Sequence, residues 1–398
     1  MLPPESFGTL CPPLPEKDKA LELKPPTHLN LVLEGGGVRG IALVGALTAI
    51  QDSLVSEERF RETSIAYLAG TSAGAIVVAL LAAGYTPYEI ADFVGGPIIA
   101  GISEPGWVSR VFARVPILRE YPALGQYLDL GLKAPRLVTK LGLLDGDDFE
   151  GFMRELLAAK GIRTFADLRM PGCEHSESPT LRYRVHMIAS DITRGRMLVL
   201  PDDMDPLRYG YDAESLDVAK AVRMSISVPG LFEPVKLTGD NGVESLIMDG
   251  GLLSNFPIDL FDRMATDSQD AYREKRAPRA LTLGIRILRD RYHPNRFPRV
   301  AHAVAALVDT AIEAHDYSDV TKLVDERKWA RVIEINTEAV PIFKFGLDAL
   351  EKELLFEAGR RITSRSIEAN QLEVAAVVHG IAARAEERVV RVVGMEQW

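Results

Sequence analysis

The segment Gly70-Thr71-Ser72-Ala73-Gly74 joins two apolar runs and decides how the chain folds around it. The run before it, Ile65-Ala-Tyr-Leu68, predicts a short buried strand, and the alanine-rich run over 75–83 predicts a buried helix. A G-x-S-x-G sequence between a strand and a helix can hold a serine hydroxyl out of a sharp turn as a nucleophile. The same pattern also fits an ordinary strand–loop–helix turn. We take Ser72 as the candidate nucleophile, with room around the turn left by Gly70 and Gly74.

The bulk composition is that of a soluble globular protein. The chain has 398 residues, of which 47% are hydrophobic and 26% are charged. This length can hold one large α/β domain or two smaller ones. The net charge of −10 argues against binding to nucleic acid polymers, since neutralising their phosphates requires clustered Lys and Arg. It also predicts no general attraction to an anionic bilayer.

The N-terminal residues 1–28 are rich in proline, which disfavours helix and sheet, and they predict an irregular tail. The start of the chain lacks a basic region followed by an apolar core, so we expect no signal peptide. The helix after the turn Gly70–Gly74, which we call the elbow, is apolar over about ten residues, fewer than the roughly 20 that span a bilayer. We therefore expect a cytoplasmic protein whose contact with a membrane is peripheral.

Two strand–loop–helix units follow one another at the start of the folded part. The first is the strand Leu29–Leu33 with a helix over 41–54, and the second contains the elbow. Consecutive units of this kind predict an α/β fold with a mostly parallel sheet and helices on its faces. We expect a catalytic domain over 29–345 and a helical segment, 346–398, packed on the same domain.

The glycine run in Glu34-Gly-Gly-Gly-Val-Arg-Gly40 can present several backbone N–H groups at the start of a helix. This favours an oxyanion hole, with candidate donors at Gly35, Gly36, Gly37, Val38 and Arg39. The alternative is a loop that binds a phosphate ligand. The run lacks the lysine of a G-x-x-x-x-G-K-[ST] loop and the spacing of a dinucleotide-binding loop. Together with the elbow, it favours the oxyanion role.

A serine nucleophile also needs a base, and two candidates differ in kind. His293 lies in the loop-like Arg291-Tyr-His-Pro294 and is the one plausible histidine of a triad. Asp249 follows an apolar strand, and the two glycines after it, Gly250 and Gly251, allow close approach of another loop. An ordinary aspartate, with a pKa of about 3.9, is a poor base for a serine hydroxyl unless burial raises that pKa.

Three motifs in this order resemble those of the patatin-like phospholipases: the glycine run at 34–40, the elbow at 70–74 and Asp249-Gly-Gly251. Together they span about residues 29–255. The segments 189–192 and 225–229 also look like blocks of that family. The resemblance implies a three-layer α/β/α fold and a Ser72–Asp249 dyad with the glycine loop as oxyanion hole. It further implies hydrolysis of phospholipids or related lipid acyl esters without a metal or other cofactor.

The activity expected from this resemblance is that of a phospholipase A or lysophospholipase, acting on carboxylic esters. Three alternatives stay open at this point. The site could pass the acyl group to an acceptor other than water, as an acyltransferase does. The chain could be a toxin-like lipase that waits for an activator, or a non-catalytic module that binds a phosphate ligand. The sequence leaves the oligomeric state undetermined.

Residues 94–144 have no counterpart that we can assign in the family. Apolar residues surround Trp107 there, with arginines interleaved, which fits a lid or an interfacial patch. The candidate lipid contacts are Trp107, Ile98 and Ile99. An ordinary pair of helices with a core side and a surface side is the alternative.

Overall fold

The computed structural model describes residues 28–56, 64–94, 141–176, 178–261, 280–288, 330–337, 340 and 347–369. Within these ranges the strands are β1 His28–Leu33, β2 Ser64–Thr71, β3 Gly142–Leu144, β4 Val185–Asp191, β5 Arg196–Leu200, β6 Gly230–Phe232, β7 Val235–Thr238, β8 Glu244–Asp249, β9 Ala280–Leu288 and β10 Ala330–Asn336. The α-helices are α1 Gly40–Ser56, α2 Ala73–Ala82, α3 Pro87–Phe93, α4 Asp147–Ala159, α5 Pro206–Tyr209, α6 Val218–Ser225 and α7 Ala349–Ala369.

The central sheet is mostly parallel. β10, β9, β1, β2 and β4 are neighbours in that order and all run in the same direction. β5 and β8 pair with β4 in the antiparallel sense, and β7 pairs antiparallel with β8. β3 and β6 form a separate two-stranded sheet. The predicted mixed α/β fold with a mostly parallel central sheet is confirmed.

Two strands share one edge of β4, and this arrangement creates the site. Met187 and Ile188 pair with both β2 and β5, and Ala189 pairs with both β5 and β8. Because a strand has two edges, β2 and β8 must lie along the same edge, opposite β5. They approach from opposite directions, so their carboxyl ends meet.

The main core lies between the sheet and a helical layer. Alternate side chains of β1, Leu29, Leu31 and Leu33, face this core, as the two-residue period of a strand requires. The same core contains apolar residues of α1, α2, α4, α6 and α7. Val32 points to the opposite face, where it packs in a smaller cluster that includes Phe256 and Phe261. Burial on both faces accounts for the almost uniformly apolar sequences of the central strands.

α7 lies directly against α1 through two glycines. A Cβ on Gly359 would sit 1.9 Å from the Ala42 carbonyl oxygen, and a Cβ on Gly45 would sit 2.0 Å from that of Phe356. The absence of side chains at these two positions allows the helix backbones to touch. α7 thereby covers the helix that begins directly after the glycine loop.

The segment Gly37–Ser56 is long and apolar enough to cross a membrane, unlike the shorter elbow helix considered from the sequence. However, 72% of its apolar window is buried inside the fold. It packs between the sheet and α7, so its apolar composition is accounted for by its place in the core of the fold.

Candidate active site

Ser72 occupies a strained turn between β2 and α2. Its backbone has φ 52° and ψ −120°, a conformation that residues other than glycine rarely adopt. Such a residue costs of order 1–3 kcal/mol and persists when its surroundings enforce it. A Cβ on Gly70 would lie 2.6 Å from the Gly74 carbonyl oxygen, and one on Gly74 would lie 2.4 Å from that of Leu33. The two glycines thus allow the close backbone packing that forces the turn.

The register of β4 brings Asp249 to Ser72. Thr71 pairs with Ile188, and Asp249 pairs with the next residue of the same strand, Ala189. Since β2 and β8 follow the same edge of β4, Ser72 and Asp249 come together where the two strands end. Gly250 passes tightly over β4, because a Cβ there would lie 2.3 Å from the Ile188 carbonyl oxygen.

The Asp249 carboxyl group is buried and incompletely hydrogen-bonded. Its side chain is 3% exposed, and Oδ1 accepts a hydrogen bond from the Gly251 N–H at 2.7 Å. Oδ2 makes no hydrogen bond of full geometry with any described residue. Burial raises the pKa of Asp249 from 3.8 to about 7, while the Gly251 N–H and the Ser72 hydroxyl act in the lowering direction.

The serine hydroxyl is therefore near enough to stabilise the carboxylate, although it falls short of ideal hydrogen-bond geometry. Hydrogen bonds between catalytic groups are often long in unliganded enzymes and tighten when substrate binds. A carboxylate with a pKa near neutrality is also a better proton acceptor than an ordinary aspartate. Position and pKa both fit Asp249 to the role of base.

The glycine loop borders Ser72 directly. A Cβ on Gly35 would lie 3.1 Å from the Cβ of Ser72. Asn255 holds this part of the loop, since its carbonyl accepts the Gly35 N–H at 3.1 Å and its Nδ2 donates to the Gly35 carbonyl at 2.9 Å. Gly37 has φ 54° and begins a short 3₁₀ turn, Gly37–Arg39, that leads into α1.

Two of the five predicted oxyanion donors use their N–H groups elsewhere. The Gly35 N–H is bonded to Asn255, and the Arg39 N–H donates to the Gly36 carbonyl. The Asn255 carbonyl takes the first group and the turn that leads into α1 takes the second, and the oxyanion hole itself stays a prediction. Within the described residues, the N–H groups of Gly36 and Gly37 donate to no backbone carbonyl outside their own turn.

Two charged side chains of the glycine loop, Arg39 and Glu34, fix the loop to neighbouring elements. Arg39 is 6% exposed, and its guanidinium donates to the carbonyls of Val340 and Leu288. The Glu34 carboxylate accepts the Ile287 N–H and also pairs with Arg286, with 3.4 Å between Oε1 and Nε. Each bond ties the loop to β9 or to the segment that follows β10. The Arg39 side chain therefore supports the loop and does not point its charge at Ser72.

The order and spacing of these elements match a known family across more than half of the chain. Residues 31–262 match the model of the patatin-like phospholipases. The chain belongs to the patatin-like phospholipase family.

Two protein sequences and one solved structure illustrate what this chain is similar to. The uncharacterized protein YqhO of Bacillus subtilis is 34% identical over 84% of this chain and 97% of its own length. The probable lipid hydrolase 463L of Invertebrate iridescent virus 6 is 24% identical over 61% of this chain and 66% of its own. The crystal structure of VipD from Legionella pneumophila aligns with a TM-score of 0.42 and 17% identity over 86% of this chain and 67% of that one.

The remaining sequence candidates for the site, which are Trp107, Ile98, Ile99 and the alternative base His293, lie outside the described residues. Among the described histidines, the buried His186 has its Nε2 3.3 Å from an oxygen of Asp202 and its ring edge-on to Phe261. Within the same residues, no group of three or more His, Cys, Asp or Glu side chains could hold a metal ion.

Sequence reasoning missed three residues that fix this patatin-like site. Asn255 ties the glycine loop to the segment after β8. Ser225 and Ser227, at the end of α6, bond to the backbones of Ser72 and Asp249. The segment 225–229 resembles a block of the family, but nothing in its sequence indicates which groups these two serines contact.

The raised pKa of Asp249 gives a testable pH dependence. A base must be ionised to accept a proton, so with Asp249 as the predicted base we expect kcat/KM to rise with pH and level off above an apparent pKa of about 7. At pH 5 the value should be about 100-fold below the plateau, since a single ionisation gives tenfold per pH unit. Initial rates on a monomeric soluble ester check this without changes in lipid packing. A plateau that begins near pH 5 would contradict a buried base.

Proposed function

We propose that this protein is a serine lipid acyl hydrolase that cleaves carboxylic esters of phospholipids or lysophospholipids. The observation that carries the proposal is the meeting of Ser72, in a strained turn, with the buried carboxyl of Asp249. Membership of the patatin-like phospholipase family supports an acyl ester of a lipid as substrate. The name of the viral relative, a probable lipid hydrolase, points in the same direction.

In the first half-reaction Asp249 accepts the proton of the Ser72 hydroxyl as Oγ attacks the ester carbonyl carbon. The carbonyl oxygen becomes an oxyanion, which the N–H groups of Gly36 and Gly37 stabilise at the start of the turn leading to α1. One such donor is worth about 2.7–4 kcal/mol in the transition state. Collapse of the intermediate breaks the ester bond, and the departing alcohol takes the proton from Asp249.

The second half-reaction releases the acyl group. Asp249 accepts a proton from water, the resulting hydroxide attacks the acyl-Ser72 ester, and the same two N–H groups stabilise the oxyanion. Ser72 then leaves with the proton that Asp249 holds, and a fatty acid is set free. No step in this scheme uses a metal or an organic cofactor.

The proposal also includes a cytoplasmic location with peripheral contact to a membrane, since such a substrate lies at the bilayer surface.

Product identification tests the proposal. The purified full chain is incubated with mixed phospholipids and lysophospholipids, and the products are resolved by mass spectrometry. We expect free fatty acid together with the matching lysophospholipid or glycerophosphodiester. In a parallel incubation with an added lipid alcohol, acyl transfer to that alcohol in place of free fatty acid would show an acyltransferase. Unchanged lipids would contradict the hydrolase and favour a binding module.

A further inference from the structure

The end of α6 contacts the backbones of both proposed catalytic residues. The Ser225 hydroxyl oxygen accepts the Ser72 N–H at 2.9 Å, and the Ser227 carbonyl, two residues on, accepts the Asp249 N–H at 2.9 Å. Both serines are completely buried. One short turn of chain therefore sets the distance between the nucleophile and the base.

This turn is itself held in place by Arg223. Its guanidinium donates to the Ser227 hydroxyl, to the Asp145 carbonyl and, at 2.7 Å, to the Glu233 carbonyl. The Ser227 hydroxyl in turn donates to the Arg223 carbonyl at 2.7 Å. A buried cation that satisfies several carbonyl oxygens fixes the helix end rigidly. Ser225 is thus a firm support for whatever it contacts.

We propose that Ser225 is a positioning residue, whose hydroxyl holds the Ser72 peptide in the strained conformation that points Oγ toward Asp249. Ser72 has φ 52°, and other backbone conformations would have a lower energy for a serine. The bond from its N–H to Ser225 opposes rotation toward them. The same bond occupies the nucleophile's own N–H, so that group is not available to an oxyanion.

This inference rests on the proposed function of Ser72 as nucleophile. It predicts a defect in the acylation step while substrate binding and the ionisation of Asp249 stay unchanged. Small displacements of reacting groups lower the reaction rate strongly, by about 100-fold for a displacement of 1 Å. Removal of the hydroxyl should therefore slow acylation about 10- to 100-fold.

The experiment measures the rate of Ser72 labelling by a fluorophosphonate probe in wild type, Ser225→Ala and Ser245→Ala. Ser245 is a matched control, because it is also fully buried and its hydroxyl also accepts one hydrogen bond, from Arg194. Both variants lose a hydrogen bond made by a buried hydroxyl group and should have lower unfolding midpoints. Only Ser225→Ala should lower the maximal labelling rate, with the half-saturating probe concentration and the pH midpoint unchanged.

A second pair of variants separates the hydroxyl from packing and keeps the test decisive if the alanine variant does not fold. Ser225→Thr and Ser225→Val have the same shape, but only threonine has an acceptor. We expect threonine to be labelled at least tenfold faster than valine. Equal rates within this pair would overturn the positioning role. Absence of labelling at Ser72 in wild type would instead contradict the proposed function itself.

Discussion

Replacement of Ser72 by alanine is expected to lower kcat/KM for lipid ester hydrolysis on the order of 10⁴- to 10⁶-fold. Loss of the nucleophile in a serine hydrolase removes the covalent route and leaves only what the oxyanion donors and substrate binding contribute. The fold should survive, because alanine meets the same backbone strain as serine at φ 52° and leaves no large cavity. Far-UV circular dichroism and the unfolding midpoint check that point beside the rate.

Covalent labelling makes the Ser72 prediction specific to one atom. A fluorophosphonate should form a phosphorus–oxygen bond with Ser72 Oγ, and the mass increase should lie in the peptide that contains the elbow. Ser56→Ala is a suitable control, since Ser56 is exposed at the end of α1 and its hydroxyl donates to the Asp52 carbonyl within the same helix. Its labelling and turnover should equal those of wild type. Hydrolysis that persists in Ser72→Ala would refute the assignment of the nucleophile.

The start of the fold could be predicted from local patterns because it consists of two successive strand–loop–helix units. The strand predicted at 29–33 is β1, and the helices predicted after the glycine loop and after the elbow are α1 and α2. In each unit, buried apolar periodicity and glycine positions are local signals. The domain boundaries, the N-terminal tail and the proposed lid contacts stay predictions.

The geometry of the site could not be predicted in the same way. Asp249 reaches Ser72 because β8 runs antiparallel along the edge of β4 that β2 already occupies. Strand direction and register depend on tertiary contacts far apart in the chain, and the apolar residues of β8 do not encode them. The same holds for Gly35, whose N–H looks available in the sequence but is taken by Asn255, 220 residues away.

Replacement of Asp249 by asparagine should remove activity and, above neutral pH, stabilise the fold. Asparagine keeps the shape of the side chain but cannot accept the Ser72 proton, so kcat/KM should fall about 10³- to 10⁴-fold. The variant should also lose the rise of activity with pH that the raised pKa gives to wild type. Wild-type activity in Asp249→Asn would return His293 to consideration as the base.

The stability change follows from the direction of the Asp249 pKa shift. The folded-state pKa is raised from 3.8 to about 7, so protonation favours the folded state. The resulting stabilisation is fully present below pH 3.8 and is lost as the pH rises through about 7. At 1.36 kcal/mol per pKa unit, wild type loses up to about 4 kcal/mol over this range. Asparagine does not ionise, so the Asp249→Asn variant should lose no stability from this cause.

Urea unfolding at pH 5 and pH 8 measures this difference. The free energy of unfolding of Asp249→Asn, taken relative to wild type, should increase by about 2 to 3 kcal/mol between the two pH values, because part of the stabilisation is already lost at pH 5. Asp240→Asn is the control, because Asp240 is exposed in the turn between β7 and β8 and its substitution should show no such trend. An equal difference at both pH values would mean that Asp249 ionises without a burial penalty. Replacement of an aspartate with a purely structural role would destabilise the protein. A gain of stability together with a loss of turnover therefore identifies a carboxylate that the fold keeps buried, at a cost in stability, because catalysis needs it there.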